Sequence, residues 1–136
     1  KSQEEKLRFL AAMCNFQQQN LLLKTLEFTL GPDVRSQNIQ MPIMRIAANL
    51  NGKKFLWAWL KKNWKKIVKK AGIGNPLLNR VVASVGQVVD AKQEKEVRKF
   101  FKTNPLRGTE MTLEQTMERV RVSSKFLNSI KKEFHN

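Results

Sequence analysis

The run Lys53-Lys54-Phe55-Leu56-Trp57-Ala58-Trp59-Leu60-Lys61-Lys62-Asn63-Trp64-Lys65-Lys66-Ile67-Val68-Lys69-Lys70 decides the fold class. At about 100° per residue, Leu56, Trp57, Leu60, Trp64, Ile67, Val68 and Ala71 fall on one stripe, and the lysines spread over the remaining surface. This is the clearest helix in the chain. Trp57 and Trp64 lie on the apolar stripe and are expected in the core. Phe55 and Trp59 point instead toward the lysine arc.

Working outward, Asn49 to Gly52 reads as a tight connection, and a third helix is expected within residues 36–48. Pro42 must sit in its first turn or kink it. Further back, Ser2 to Glu5 reads as a capping box, in which the hydroxyl and the carboxylate each take an unpaired N–H. Leu7, Leu10, Ala11 and Cys14 then follow at helical spacing. A second helix is predicted from Gln18 to Thr29 with Leu22, Leu23, Leu26 and Leu30 inward, ended by Gly31-Pro32.

Downstream, Gly72-Ile73-Gly74 is a helix-to-helix turn. Asn75-Pro76 is an N-cap with proline at the first helical position. Leu77, Leu78, Val81, Val82 and Val85 fill the next helix, and Gly86 stops it. Asp90 to Gln93 opens another, with Val97, Phe100 and Phe101 inward, broken at Asn104-Pro105. Thr112 to Gln115 reads as a further capping box for the last helix, with Leu113, Met117, Val120, Leu127, Ile130 and Phe134 inward. The expectation is an all-α chain, an α-α superhelix of the HEAT or armadillo solenoid kind with about seven helices, forming one domain over residues 1–136.

Composition agrees. The 136 residues suffice for one domain with its own core. Tyr is absent and Gly and Pro are few, which disfavours turn-rich β architectures. Cys14 is alone, so no intramolecular disulfide can form, and a reducing, cytoplasmic setting is expected. No apolar run is long enough to span a bilayer, so no membrane insertion is expected. The chain opens at Lys1, close to a helix start, and is expected to be a fragment of a longer protein. The balance of 26 Lys+Arg against 11 Asp+Glu gives a net charge of +15, a field that attracts polyanions without saying which.

Chemistry is hard to find. One histidine, His135, excludes an HExxH zinc site and any two-histidine ligand set. Cys14 reads as a buried small hydrophobe rather than as a nucleophile paired with His135. No phosphate-binding glycine loop is present. The acids are sparse and partnered by spacing, as Glu96 is beside Lys99. No metal, cofactor or catalytic residue is expected within the chain itself.

The stretch Leu56-Trp57-Ala58-Trp59-Leu60-Lys61-Lys62-Asn63-Trp64-Lys65-Lys66-Ile67 resembles the "LAWxFLKxNWxKL" signature of gluzincin zinc aminopeptidases. These include aminopeptidase N, the puromycin-sensitive and endoplasmic-reticulum enzymes, and the tricorn-interacting factors. Val34-Arg35-Ser36-Gln37-Asn38 resembles the "(I/V)RxQD" step, and Asn51-Gly52 sits where "NPxGxxLAW" is usual. Val97-Arg98-Lys99-Phe100-Phe101 resembles "EEVxxFF". The run from Thr112 to Val120 resembles "RTLEQxLERI", and Phe126-Leu127 falls where "WL" is usual. The matches are collinear over nearly the whole chain. Asn38, Met111 and Asn15 depart from the pattern, replacing an acid, an Arg and the Arg with which endoplasmic-reticulum relatives hold peptide C-termini.

The resemblance implies the C-terminal helical domain of such an enzyme. Zinc, its HExxH ligands and the GAMEN motif would then belong to N-terminal catalytic domains, which would be this domain's partners together with the peptide substrate. The helical domain would enclose the peptide chamber and gate the active site. Arg35, Gln37 and Arg45, at the loop edge and on the third helix, are the candidate chamber contacts. The rival reading is a basic HEAT-like module for nucleic acid or another polyanion, using Phe55, Trp59, Lys62, Lys66 and Lys70. In that rival Trp59 stacks a base; the expected alternative is that it packs on the preceding helix.

Overall fold

Why these segments become helices is visible at their ends. In the computed structural model, which describes residues 2–135, Ser2 Oγ accepts from Glu5 N at 3.2 Å and starts α1 (Gln3–Met13). Then follow α2 (Gln19–Thr29), α3 (Gln40–Ala48), α4 (Leu56–Ala71), α5 (Leu77–Ser84), α6 (Glu94–Thr103) and α7 (Glu110–His135). Short 3-10 turns precede α3, α4 and α6 and follow α5. No strand occurs among the described residues. Pro42 lies in the first turn of α3, where its missing N–H costs nothing. Asp90 and Gln93 form a complete capping box ahead of α6.

The helices pack as two layers. In one, α3 lies against both α1 and α5, and α5 against α7. Ile43, Ala47, Val81 and Val82, all fully buried, are small or β-branched and let these backbones approach closely. The other layer is α2, α4 and α6. Here α4 meets α6 through rings: Trp57–Phe100 centroids are 5.4 Å apart and Trp64–Phe101 5.2 Å, both edge-to-face. The core runs between the layers and includes Leu22, Leu26, Leu56, Leu60 and Ile67.

One connection shows how tightly the turns are set. Asn49 Nδ2 donates to the carbonyls of Cys14 at 3.1 Å and Phe16 at 3.0 Å, holding the α1–α2 loop. Its Oδ1 accepts from Asn51 N and Gly52 N. Gly52 is buried against the end of α3, and a Cβ there would lie 2.2 Å from the Ile46 carbonyl oxygen. Only glycine fits this approach.

Three sequence expectations are corrected. The last helix starts at Glu110, so Thr112 is inside its first turn rather than at a cap; its hydroxyl donates to Asn79 Oδ1 of α5 at 2.8 Å. Leu127 and Phe134 do not face inward: they are 55% and 83% exposed, because α7 outruns the helices it packs on. Burial on α7 is confined to Thr116, Met117 and Val120. Glu96 pairs with Lys61 of α4 across the interhelix seam, not with Lys99 on its own helix.

Candidate functional site

Between α1 and α3 the tight layer leaves a groove of about 460 Å³, lined by Glu4, Leu7, Arg8, Ala11, Asn38, Met41 and Arg45. Helical spacing puts Glu4, Arg8 and Ala11 on one side of α1, and Met41 and Arg45 on one side of α3. Arg8 and Arg45 are exposed, and neither is in an ion pair among the described residues. A guanidinium pair on two separate helices, with an amide beside it, suits a planar carboxylate.

The three candidate chamber residues are not brought to one point. Arg45 lines the groove. Arg35 lines a smaller neighbouring cleft with Lys6, Asp33 and Asn38, so Asn38 and Leu7 are common to both. Gln37 is exposed on the 3-10 turn Ser36–Asn38 and lines neither. Sequence reasoning missed Arg8 and treated Asn38 only as a departure from a motif. The signal for Arg8 was its place one residue after inward Leu7; which helix would lie beside it was not in the pattern.

The lysine face of α4 is divided among different tasks. Trp59 is only 8% exposed and lines a cavity of about 560 Å³ with Leu23, Glu27, Leu30, Lys62 and Lys66, so it packs toward α2. Phe55 is half-buried against the core. Lys70 Nζ donates to the Gly31 carbonyl at 2.6 Å and closes the end of α2. Lys62 and Lys66 are exposed. On the opposite flank Lys61 pairs with Glu96 and sits 5.2 Å from the Trp57 ring centroid. The hydrogen bond from Lys61 holds the Glu96 carboxyl below its usual range.

Arg98 joins α6 to α7. Its Nε is 2.8 Å from Glu94, and its Nη1 and Nη2 are 2.5 and 3.1 Å from Glu114. Those bonds push Arg98 up and Glu114 down. Lys61, Arg98 and Arg121 are the cations held in ion pairs among the described residues.

The groups capable of covalent or metal chemistry are dispersed. No cluster of three or more His, Cys, Asp or Glu that could hold a metal ion occurs among the described residues. The donor set a zinc ion needs is therefore not assembled by them. Cys14 is 1% exposed, its thiol donating to the Leu10 carbonyl at 3.3 Å, and burial pushes it up to about 11. A thiol so held is neutral and inert near neutral pH. His135 is exposed in the last turn of α7.

The family described as ERAP1-like C-terminal domain matches residues 1–122. This chain belongs to that family. Among its relatives, Aminopeptidase M1-B of Oryza sativa subsp. japonica is 32% identical over 132 residues, covering 96% of this chain and 15% of the rice protein. Aminopeptidase 2, mitochondrial, of Saccharomyces cerevisiae is 30% identical over 128 residues, 93% of this chain and 13% of the yeast protein. Aminopeptidase M1 of Arabidopsis thaliana is 28% identical over 130 residues, 96% and 15% respectively. The chain thus spans only 13 to 15% of the length of these relatives. Among the described residues no helix is long and apolar enough to cross a membrane.

Proposed function

We propose that this domain is a non-catalytic wall of a zinc-dependent aminopeptidase that trims N-terminal residues from peptides in the cytoplasm. Zinc and its ligands lie in the N-terminal catalytic domains, which this domain adjoins. The α1–α3 face looks into the substrate chamber, encloses it and gates entry by moving with the domain. The peptide's C-terminal carboxylate meets Arg45 and Arg8 in the groove, with Arg35 and Gln37 at its edge.

The observation that carries this is the groove itself: two guanidinium groups held in no ion pair among the described residues and an amide, within a domain whose relatives are named aminopeptidases. An array with one layer spaced more closely curves toward that layer, which makes the α1–α3–α5–α7 side the natural inner wall. The polyanion reading loses its stacking residue, since Trp59 is packed toward α2.

The test is steady-state kinetics of the whole enzyme carrying Arg45→Ala or Arg8→Ala. With peptides bearing a free C-terminal carboxylate, KM is expected to rise about tenfold, the loss of a charge-assisted contact. With C-amidated peptides or a single-residue aminoacyl reporter it should not move. An equal change for amidated and free peptides overturns the carboxylate role. The isolated 136-residue chain should hydrolyse neither substrate; chelator-sensitive hydrolysis by it would overturn the non-catalytic reading.

A further inference from the structure

On the wide layer, away from the α1–α3 groove, a second depression of about 560 Å³ lies between the C-terminal half of α4 and the α6–α7 loop. Its apolar surface comes from Val68, Ile73 and Leu106, and its charges from Lys65, Lys69 and Arg107; no acidic residue lines it. None of these three cations is in an ion pair among the described residues. The neighbouring turn holds an apolar side chain in the open. Gly72 and Gly74 have φ of +92° and +84°, the left-handed region that glycine enters without strain, and between them Ile73 is 84% exposed. An exposed isoleucine fixed at the edge of a cation-rimmed apolar depression marks a binding surface rather than a solvated face.

We propose that this depression docks an acidic linear segment of a separate partner protein, with one apolar side chain seated on Val68, Ile73 and Leu106 and flanking carboxylates on Lys65, Lys69 and Arg107. Two features select an acidic peptide over nucleic acid. The floor is aliphatic, and the one indole beneath it, Trp64, is 3% exposed and edge-on to Phe101, too covered to stack a base. A lipid surface would need a broad convex apolar face, whereas this one is a bounded depression between two elements.

The probe is a fluorescently labelled heptapeptide with a central Leu flanked on each side by three Asp or Glu, titrated with the 136-residue chain by anisotropy. Saturable binding that weakens with salt is expected. Replacing the central Leu by Gly should weaken it about tenfold, as should Ile73→Asp, a change at an exposed position that leaves the core intact. The double reversal Lys65→Glu with Lys69→Glu should abolish binding, while Lys24→Glu on α2 should leave it unchanged. Circular dichroism of each variant separates lost binding from lost structure.

Equal affinity for the Leu and Gly peptides overturns the proposal, because charge alone would then explain the binding. An oligothymidylate bound more tightly than the peptide, or anionic vesicles bound with the same Ile73 dependence, would replace the partner by nucleic acid or lipid. Binding to the isolated chain but not to the intact parent enzyme would make the depression an internal interface and overturn the separate partner. The surface is independent of the α1–α3 groove, so either reading can fail without the other.

Discussion

The α3–α5 contact and the α4–α6 contact join neighbouring helices of the same chain by opposite means. The first uses Ile43, Ala47, Val81 and Val82 and brings backbones close. The second uses Trp57, Trp64, Phe100 and Phe101, four ring pairs with centroids between 5.2 and 6.2 Å, and holds backbones apart. Small residues spend little volume and give curvature; large rings spend volume and leave depressions between their helices. The two layers therefore present different surfaces: a groove with paired arginines on the tight side, an aliphatic depression with lysines on the wide side.

The largest break in this comparison should come from the rings. Trp64→Ala removes a side chain that contacts both Phe100 and Phe101. The cavity should cost about 3–5 kcal/mol, read as a drop in the denaturant midpoint at unchanged slope. On the tight side the sensitive point is an approach with no room for any side chain. Gly52→Ala should cost about 3 kcal/mol, at the top of the range for overpacking, because the atom met is a backbone oxygen and not a mobile side chain. If Gly52→Ala proves harmless, the end of α3 is looser than its packing against this turn implies.

A smaller effect follows from Cys14, where α1 meets α3. Burial raises its thiol from 9.0 to about 11 in the folded chain. The unfolded thiol ionises first, so the stability it contributes is fully present below pH 9 and is lost as pH rises toward 11. Chemical denaturation at pH 8 and pH 10.5 should show the stability gap between wild type and Cys14→Ala narrowing at the higher pH. A constant gap would mean that the thiol is not desolvated. The smallest effect should be at the far end of α7, which belongs to neither contact. Leu127→Ser or Phe134→Ser should change stability by less than about 0.5 kcal/mol, since each side chain is already more than half exposed.

How far the sequence could be read differs element by element. The helix starts at Ser2 and Asp90 were legible because a cap is a local event, settled within four residues. The stripe on α4 was legible because the run is long and its apolar positions recur on one side. The start of α7 was misplaced because Thr112 and Gln115 carry the right residue types for a box, while the hydroxyl is spent on Asn79, 33 positions away. Leu127, Ile130 and Phe134 have the spacing of a core stripe, but spacing says nothing about whether another helix reaches that far. The same limit applied to the candidate site: of Arg35, Gln37 and Arg45 only Arg45 lines the groove, and Arg8 lines it with Arg45.

The sequence by itself determined that the chain is helical and where most helices begin and end. Caps, glycines, prolines and apolar periodicity act over a few residues. Only the tertiary structure decided which lysines are spent and which are free. Lys61 is taken by Glu96 and Lys70 by the Gly31 carbonyl, while Lys65 and Lys69 edge the α4 depression. The six lysines of α4 are alike in sequence. They differ only in which neighbour the packing of the layers sets opposite each.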